Sequence, residues 1–176
     1  MTDSVALRPL ADIAPDAVET LLDRAFGTDR RGRTAYRVRA GVRPIEAFSF
    51  AAVDARGGLL GSIQAWPVRL VGDDGHSAPL VMVGPVAVQP ALQRGGLGRR
   101  LMQRLLDAAD AADLPGADAL MLIGDPEYYA RFFGFSADRT ARWRLPGPFE
   151  PHRLLARGAA VPDRAGTIGA RAPADA

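Results

Sequence analysis

The run VAVQPALQRGGLGRRLM, from Val86 to Met102, joins an apolar, strand-like stretch to an arginine-bearing amphipathic one through a proline and three glycines. The first part reads as a strand, Val86-Ala87-Val88. After the glycines, Leu97, Leu101, Leu105 and Ala109 recur at helical spacing, which predicts a helix to about Ala112. A plain flexible link would satisfy that order, but the glycines suggest more. Gly96 and Gly98 carry no Cβ, so the main chain there can approach a ligand closely. Backbone N–H groups at the positive end of a helix dipole form a nest for an anion, phosphate above all. Arg94, Arg99 and Arg100 add charge at its rim.

Two other phosphate loops fail on the residues. A Walker loop needs Gly-Lys-Ser/Thr, and the chain has no lysine: all 22 basic residues are arginine. A dinucleotide G-x-G-x-x-G fingerprint finds Gly96 and Gly98 but Leu101 in third place, with too little chain following for a nucleotide fold.

The 176 residues, 48% hydrophobic, suffice for one domain with a sizeable core. Cysteine is absent, which removes disulfides and thiolate chemistry. No apolar stretch approaches the roughly 20 residues that span a bilayer, and MTDSVALRPL lacks the regions of a signal peptide, so a cytoplasmic protein with no membrane association is expected. The net charge of +2 is weak evidence for a nucleic-acid partner. Arginines crowd at Arg30, Arg31, Arg33, Arg37, Arg39 and Arg43, with only Tyr36 interleaved for base stacking, so the run reads as a solvated helix face.

Outward from the glycine loop, VALRPL reads as a first strand. A helix opens at Pro15 and ends at Gly27, and a second covers about Arg33 to Ala40, ended by Gly41. EAFSFAAVD, LLGSIQAWPVRLVG and APLVMVGPVAVQP read as three strands of an antiparallel meander. DALMLIG, reached by a helical crossover, should run parallel to the strand ending at Val88. PEYYARFF is a short helix, and strands are expected near Ala141–Leu145 and His152–Ala156. Residues 1–156 form the expected domain. Residues 157–176, small, polar and proline-bearing, read as a flexible tail. The fold class is α/β in the broad sense: a mostly antiparallel mixed sheet with a central parallel βαβ unit, flanked by helices.

Gln93-Arg94-Gly95-Gly96-Leu97-Gly98 resembles the Q/R-x-x-G-x-G/A signature of the GNAT superfamily of N-acetyltransferases. Val86-Ala87-Val88-Gln89-Pro90 resembles the strand end that precedes it there, and the specific likeness runs from about Leu80 to Phe135. The resemblance implies acetyl-CoA as donor, with pyrophosphate on the amides from Arg94 to Arg99 and pantetheine along Val86 to Val88. It also implies a central strand pair that splays to admit pantetheine. Gly84-Pro85 agrees with a break there, since proline cannot donate to the ladder.

The implied reaction is direct attack of an amine on a thioester, with a backbone N–H near Val86 or Ala87 polarising the carbonyl and an acid protonating the leaving thiolate. In the family the acid is a tyrosine four residues before a Gly-Phe pair. That position here is Ala130, with Tyr128 and Tyr129 just before it and Phe132-Phe133 resembling a one-residue extension. Helical spacing sets the two tyrosines about 100° apart, so one faces the chemistry while the other packs, and Tyr129 is preferred. No carboxylate or histidine lies between Ala78 and Val88. Glu46, His76, Asp125 and Glu127 remain as candidate bases, beside a chain of waters. Neither histidine has metal-ligand spacing, and no metal is expected. The expected partners are acetyl-CoA and an amine-bearing acceptor; a homodimer is compatible with the sequence. The competing reading is a non-catalytic acyl-CoA-binding or sensing module of the same fold.

Overall fold

The computed structural model describes residues 4–173. Its strands are β1 (Ala6–Pro9), β2 (Phe50–Val53), β3 (Leu59–Gly72), β4 (Ser77–Val88), β5 (Leu120–Ile123), β6 (Trp143–Arg144), β7 (Leu154–Arg157) and β8 (Gly166–Ala170). The helices are α1 (Pro15–Phe26), α2 (Thr34–Val38), α3 (Leu97–Ala111) and α4 (Pro126–Phe133). The strands form one mixed sheet in the order β1-β2-β3-β4-β5-β7, with β8 pairing both β3 and β6. The parallel contacts are β4 with β5 and β6 with β8, each two residue pairs long.

The chain divides into two units, to both of which β3 and β4 contribute. The first comprises Met1–Arg31, Pro44–Ala65 and Gly84–Ala111. Proline at the first turn of α1 costs no hydrogen bond, and Gly27 ends the helix at φ +90°. Val18, Leu21 and Leu22 of α1 pack on Ala51, Val53 and Ala87. Glu46–Phe48, expected as the start of a strand, is a 3₁₀ turn instead, because the Ile45 carbonyl collects both the Phe48 N–H and the Ser49 hydroxyl. Strand β2 starts only at Phe50.

The second unit comprises Gly32–Arg43, Trp66–Val83 and Ala112–Ala176. Its core gathers Val38, Leu70, Leu80, Met82, Met121, Trp143, Leu154 and Ile168. Helix α2 is shorter than expected; residues beyond it turn back, with Gly41 at φ +80°. The Thr34 hydroxyl donates to the Pro148 carbonyl and holds its first turn.

Part of the segment from Arg157, expected as a flexible tail, is a strand instead. Residues 166–170 form β8, paired with Val68–Gly72, and Arg171 donates to the carbonyls of Val68 and Pro115, both at 3.1 Å. Backbone ladder bonds need no apolar pattern, so the small, polar composition misled. The last three residues of the segment lie outside the described residues.

Candidate active site

In the first unit, β4 leads into a 3₁₀ turn at Pro90–Leu92 and then the turn Gln93–Gly96, all solvent-facing from Pro90 onward. Gln93 reaches back to donate from Nε2 to the Val88 carbonyl (3.5 Å), and the Gly95 N–H bonds the Leu92 carbonyl (3.1 Å). Gly96 sits at φ +79°, a conformation that L side chains rarely adopt, and a Cβ there would meet nothing within 4 Å. The first helical bond of α3 runs from the Arg100 N–H to the Gly96 carbonyl (3.2 Å). The N–H groups of Leu97 and Gly98 therefore precede any intrahelical acceptor. This is the arrangement an anion needs, and the residues fit a pyrophosphate: bare main chain, open space and a helix start. Arg94, Arg99 and Arg100 stand exposed around it. Arg104, further along α3, stacks 4.3 Å over the Phe50 ring.

The expected strand residues divide between two faces. Val86 and Val88 turn toward the start of α3, where a Cβ on Gly98 would lie 3.7 and 3.8 Å from their side chains. Ala87 is buried under α1. Pairing of β4 with β5 consists of Val81 with Leu120 and Met82 with Met121, and β4 continues six residues beyond it. The peptide between Gly84 and Pro85, in that continuation, is cis.

In the second unit, Asp125 caps α4, accepting from the Glu127 N–H at 3.0 Å, and Pro126 follows at the first helical position. Gly134 closes the helix in the left-handed region (φ +71°), with the Phe135 N–H bonding the Tyr129 carbonyl (3.2 Å). Tyr128 and Tyr129 are both half-buried, their rings edge to face at 5.0 Å between centroids. Tyr128 also packs on Phe132 and Phe133, whereas Tyr129 packs on Phe133 and, edge-on, Phe135. Burial raises the Tyr129 phenol above the ordinary tyrosine value, Tyr128 and Asp125 add to the rise, and Arg153 opposes it. Its phenol therefore keeps its proton to higher pH than an ordinary tyrosine.

Among the candidate bases, Asp125 is occupied as a helix cap. His76 stands exposed at the β3–β4 turn, its Nδ1 3.6 Å from Asp74 Oδ1, and Glu46 and Glu127 are exposed. Among the described residues, no three histidine, aspartate or glutamate side chains form a group that could hold a metal ion.

The early arginine run is only partly a solvated face. Arg30 is 1% exposed, paired through Nε with Asp23 (3.0 Å) and through Nη2 with Glu19. Arg39 is buried with its guanidinium 3.9 Å from the Tyr36 ring centroid and 4.2 Å from that of Trp66. The i, i+3 spacing of Tyr36 and Arg39 was the available signal; Trp66, 27 residues on, carried none.

Residues 16–135 match the model of the acetyltransferase (GNAT) family. The chain belongs to that family. Among solved structures, this GNAT chain is similar to YhbS, a GNAT family N-acetyltransferase of Escherichia coli in complex with CoA, at 25% identity and TM-score 0.68, covering 96% of this chain and 89% of that one. It is likewise similar to a GNAT family acetyltransferase of Brucella melitensis in complex with acetyl-CoA, at 25% identity and TM-score 0.62, covering 97% of each. No curated protein matches.

Proposed function

We propose that this GNAT-family chain transfers the acetyl group of acetyl-CoA to a primary amine. The observation that carries the reading is the Gln93–Gly98 turn, which opens α3 beside a positive-φ glycine with the Leu97 and Gly98 N–H groups ahead of the helical bond from Arg100 to Gly96. The amides around Gly96, Leu97 and Gly98 bind the pyrophosphate, and Arg94 and Arg99 supplement its charge. The main chain of Val86–Val88 lines the pantetheine arm, which the early end of β4–β5 pairing supports. An N–H at Val86 or Ala87 polarises the thioester carbonyl. Acetyl-CoA supplies the activated acetyl group and a thiolate that can leave. The amine lone pair forms the new C–N bond as the C–S bond breaks. Tyr129 gives its phenolic proton to the departing sulfur, and water takes the proton of the amine. A cytoplasmic place fits such a donor; among the described residues no helix is long and apolar enough to cross a membrane.

Two measurements test this. Acetyl-CoA at 100 times its dissociation constant should add about 2.7 kcal/mol of stability, roughly 5–10 °C in melting midpoint. A panel of spermidine, an aminoglycoside, phenylethylamine and a peptide with a free N-terminus should then identify an acceptor by thiol release. No shift at millimolar acetyl-CoA would overturn the reading. A shift without turnover on broad panels would favour the acyl-CoA-binding module.

A further inference from the structure

We infer that Gly124 is a positioning residue, whose missing side chain forms the seat that sets the Tyr129 ring in place. The inference rests on the reading of Tyr129 as the acid, but its evidence is geometric. Gly124 follows the last residue of β5 and immediately precedes the cap Asp125, and Tyr129 is the fourth helical residue of α4. These are the two positions where many helices set an apolar side chain against another to fix how the chain enters the helix. Here the first of the two is glycine, and the tyrosine ring fills its place. A Cβ on Gly124 would lie 2.4 Å from Cε2 and 2.8 Å from Cδ2 of Tyr129, and 3.1 Å from Leu122 Cδ1.

Backbone conformation does not call for this glycine. Its φ lies outside the left-handed range, and it is the ring, with Leu122 Cδ1 close beside it, that bars a side chain. Neither partner can yield cheaply. The Gly124 N–H is tied to the Arg153 carbonyl at 2.9 Å, and the Tyr129 ring is bounded by Tyr128, Phe133 and Phe135. A methyl at position 124 therefore has to displace the ring from the strand end.

Gly124→Ala tests this in three ways. The difference in phenolate absorbance between a chain and its Tyr129→Phe counterpart isolates the titration of Tyr129. In Gly124→Ala that midpoint should fall toward the ordinary tyrosine value as the ring leaves its buried seat, and an unchanged midpoint overturns the inference whatever Tyr129 does in catalysis. With acetyl-CoA and the best amine of the panel, Gly124→Ala should lose at least tenfold in kcat with KM for acetyl-CoA within twofold, and Gly124→Ala/Tyr129→Phe should be no slower than Tyr129→Phe alone. Losses that multiply would show that Gly124 acts elsewhere and overturn the inference; wild-type kcat in Tyr129→Phe would instead overturn the acid assignment. Should Gly124→Ala prove insoluble, Tyr129→Ala in the same chain should restore folding, and failure to do so overturns the seat.

Discussion

Ile168 of β8 lies opposite Leu70 of β3, and both side chains are buried, at 1% and 0% exposure. Ile168 therefore anchors β8 in the second unit's core. Ile168→Ala should cost about 2–5 kcal/mol, the usual range for truncating a core aliphatic residue. At roughly 2–4 °C per kcal/mol for a chain of this size, the midpoint should fall by at least several degrees. Truncation after Arg157 should fall further, since it also removes the Arg171 bonds to Val68 and Pro115. Scanning calorimetry of both variants checks this; an unaltered midpoint would return the segment to the status of a dispensable tail.

Gly96→Glu should abolish the acetyl-CoA-induced rise in midpoint by setting a carboxylate where the pyrophosphate is proposed to bind. The positive φ adds a cost of about 1–2 kcal/mol to the ligand-free chain. Gly96→Ala is the control, because it carries the same backbone cost without charge and its methyl meets open space. It should keep most of the acetyl-CoA shift. Equal binding by both variants would put the nest elsewhere.

Tyr129→Phe should lower kcat by about 10²-fold, the lower end for general acid catalysis, since a thiolate leaves fairly well unaided. Tyr128→Phe should change it little. The raised phenol gives the pH dependence a sign. The folded state holds this proton more tightly than the unfolded one, so the stability it contributes is complete below about pH 10. It is lost as pH rises from there through the folded-state value. The alkaline limb of kcat should likewise lie above pH 10 and vanish in Tyr129→Phe. A profile unchanged by the substitution would leave the ring as packing.

Arg30→Met should destabilise the first unit by roughly 2 kcal/mol, less than the 3–5 typical of a broken buried pair, because Glu19 and Asp23 remain partly in water. Arg30→Lys should recover only part of this, since an ammonium cannot reproduce the fork that serves two carboxylates. Chemical denaturation of the three chains measures both. A neutral Arg30→Met would make the pairing incidental.

The strand, the glycine loop and the helix from Val86 to Ala111 were legible in sequence because each depends on near neighbours: a short apolar run for β4, a 3.6-residue repeat for α3, and glycines where the main chain turns. The limits of α1 were legible for the same reason, proline opening it and glycine closing it. The tertiary structure decided what depends on a partner far along the chain. Gly166–Ala170 is a strand because β3 offers it a ladder, not because GTIGA alternates. Arg30 and Arg39 are buried because two carboxylates and two aromatic rings surround them, while the neighbouring Arg31 and Arg33 stay exposed. Between two adjacent tyrosines, helical spacing distinguishes directions but not surroundings; Tyr129 rests on Gly124 and Phe135 only because β5 and the chain beyond α4 bring those residues to it. Local sterics and periodicity are written in the residues themselves, whereas desolvation and pairing belong to the surface each residue is folded against.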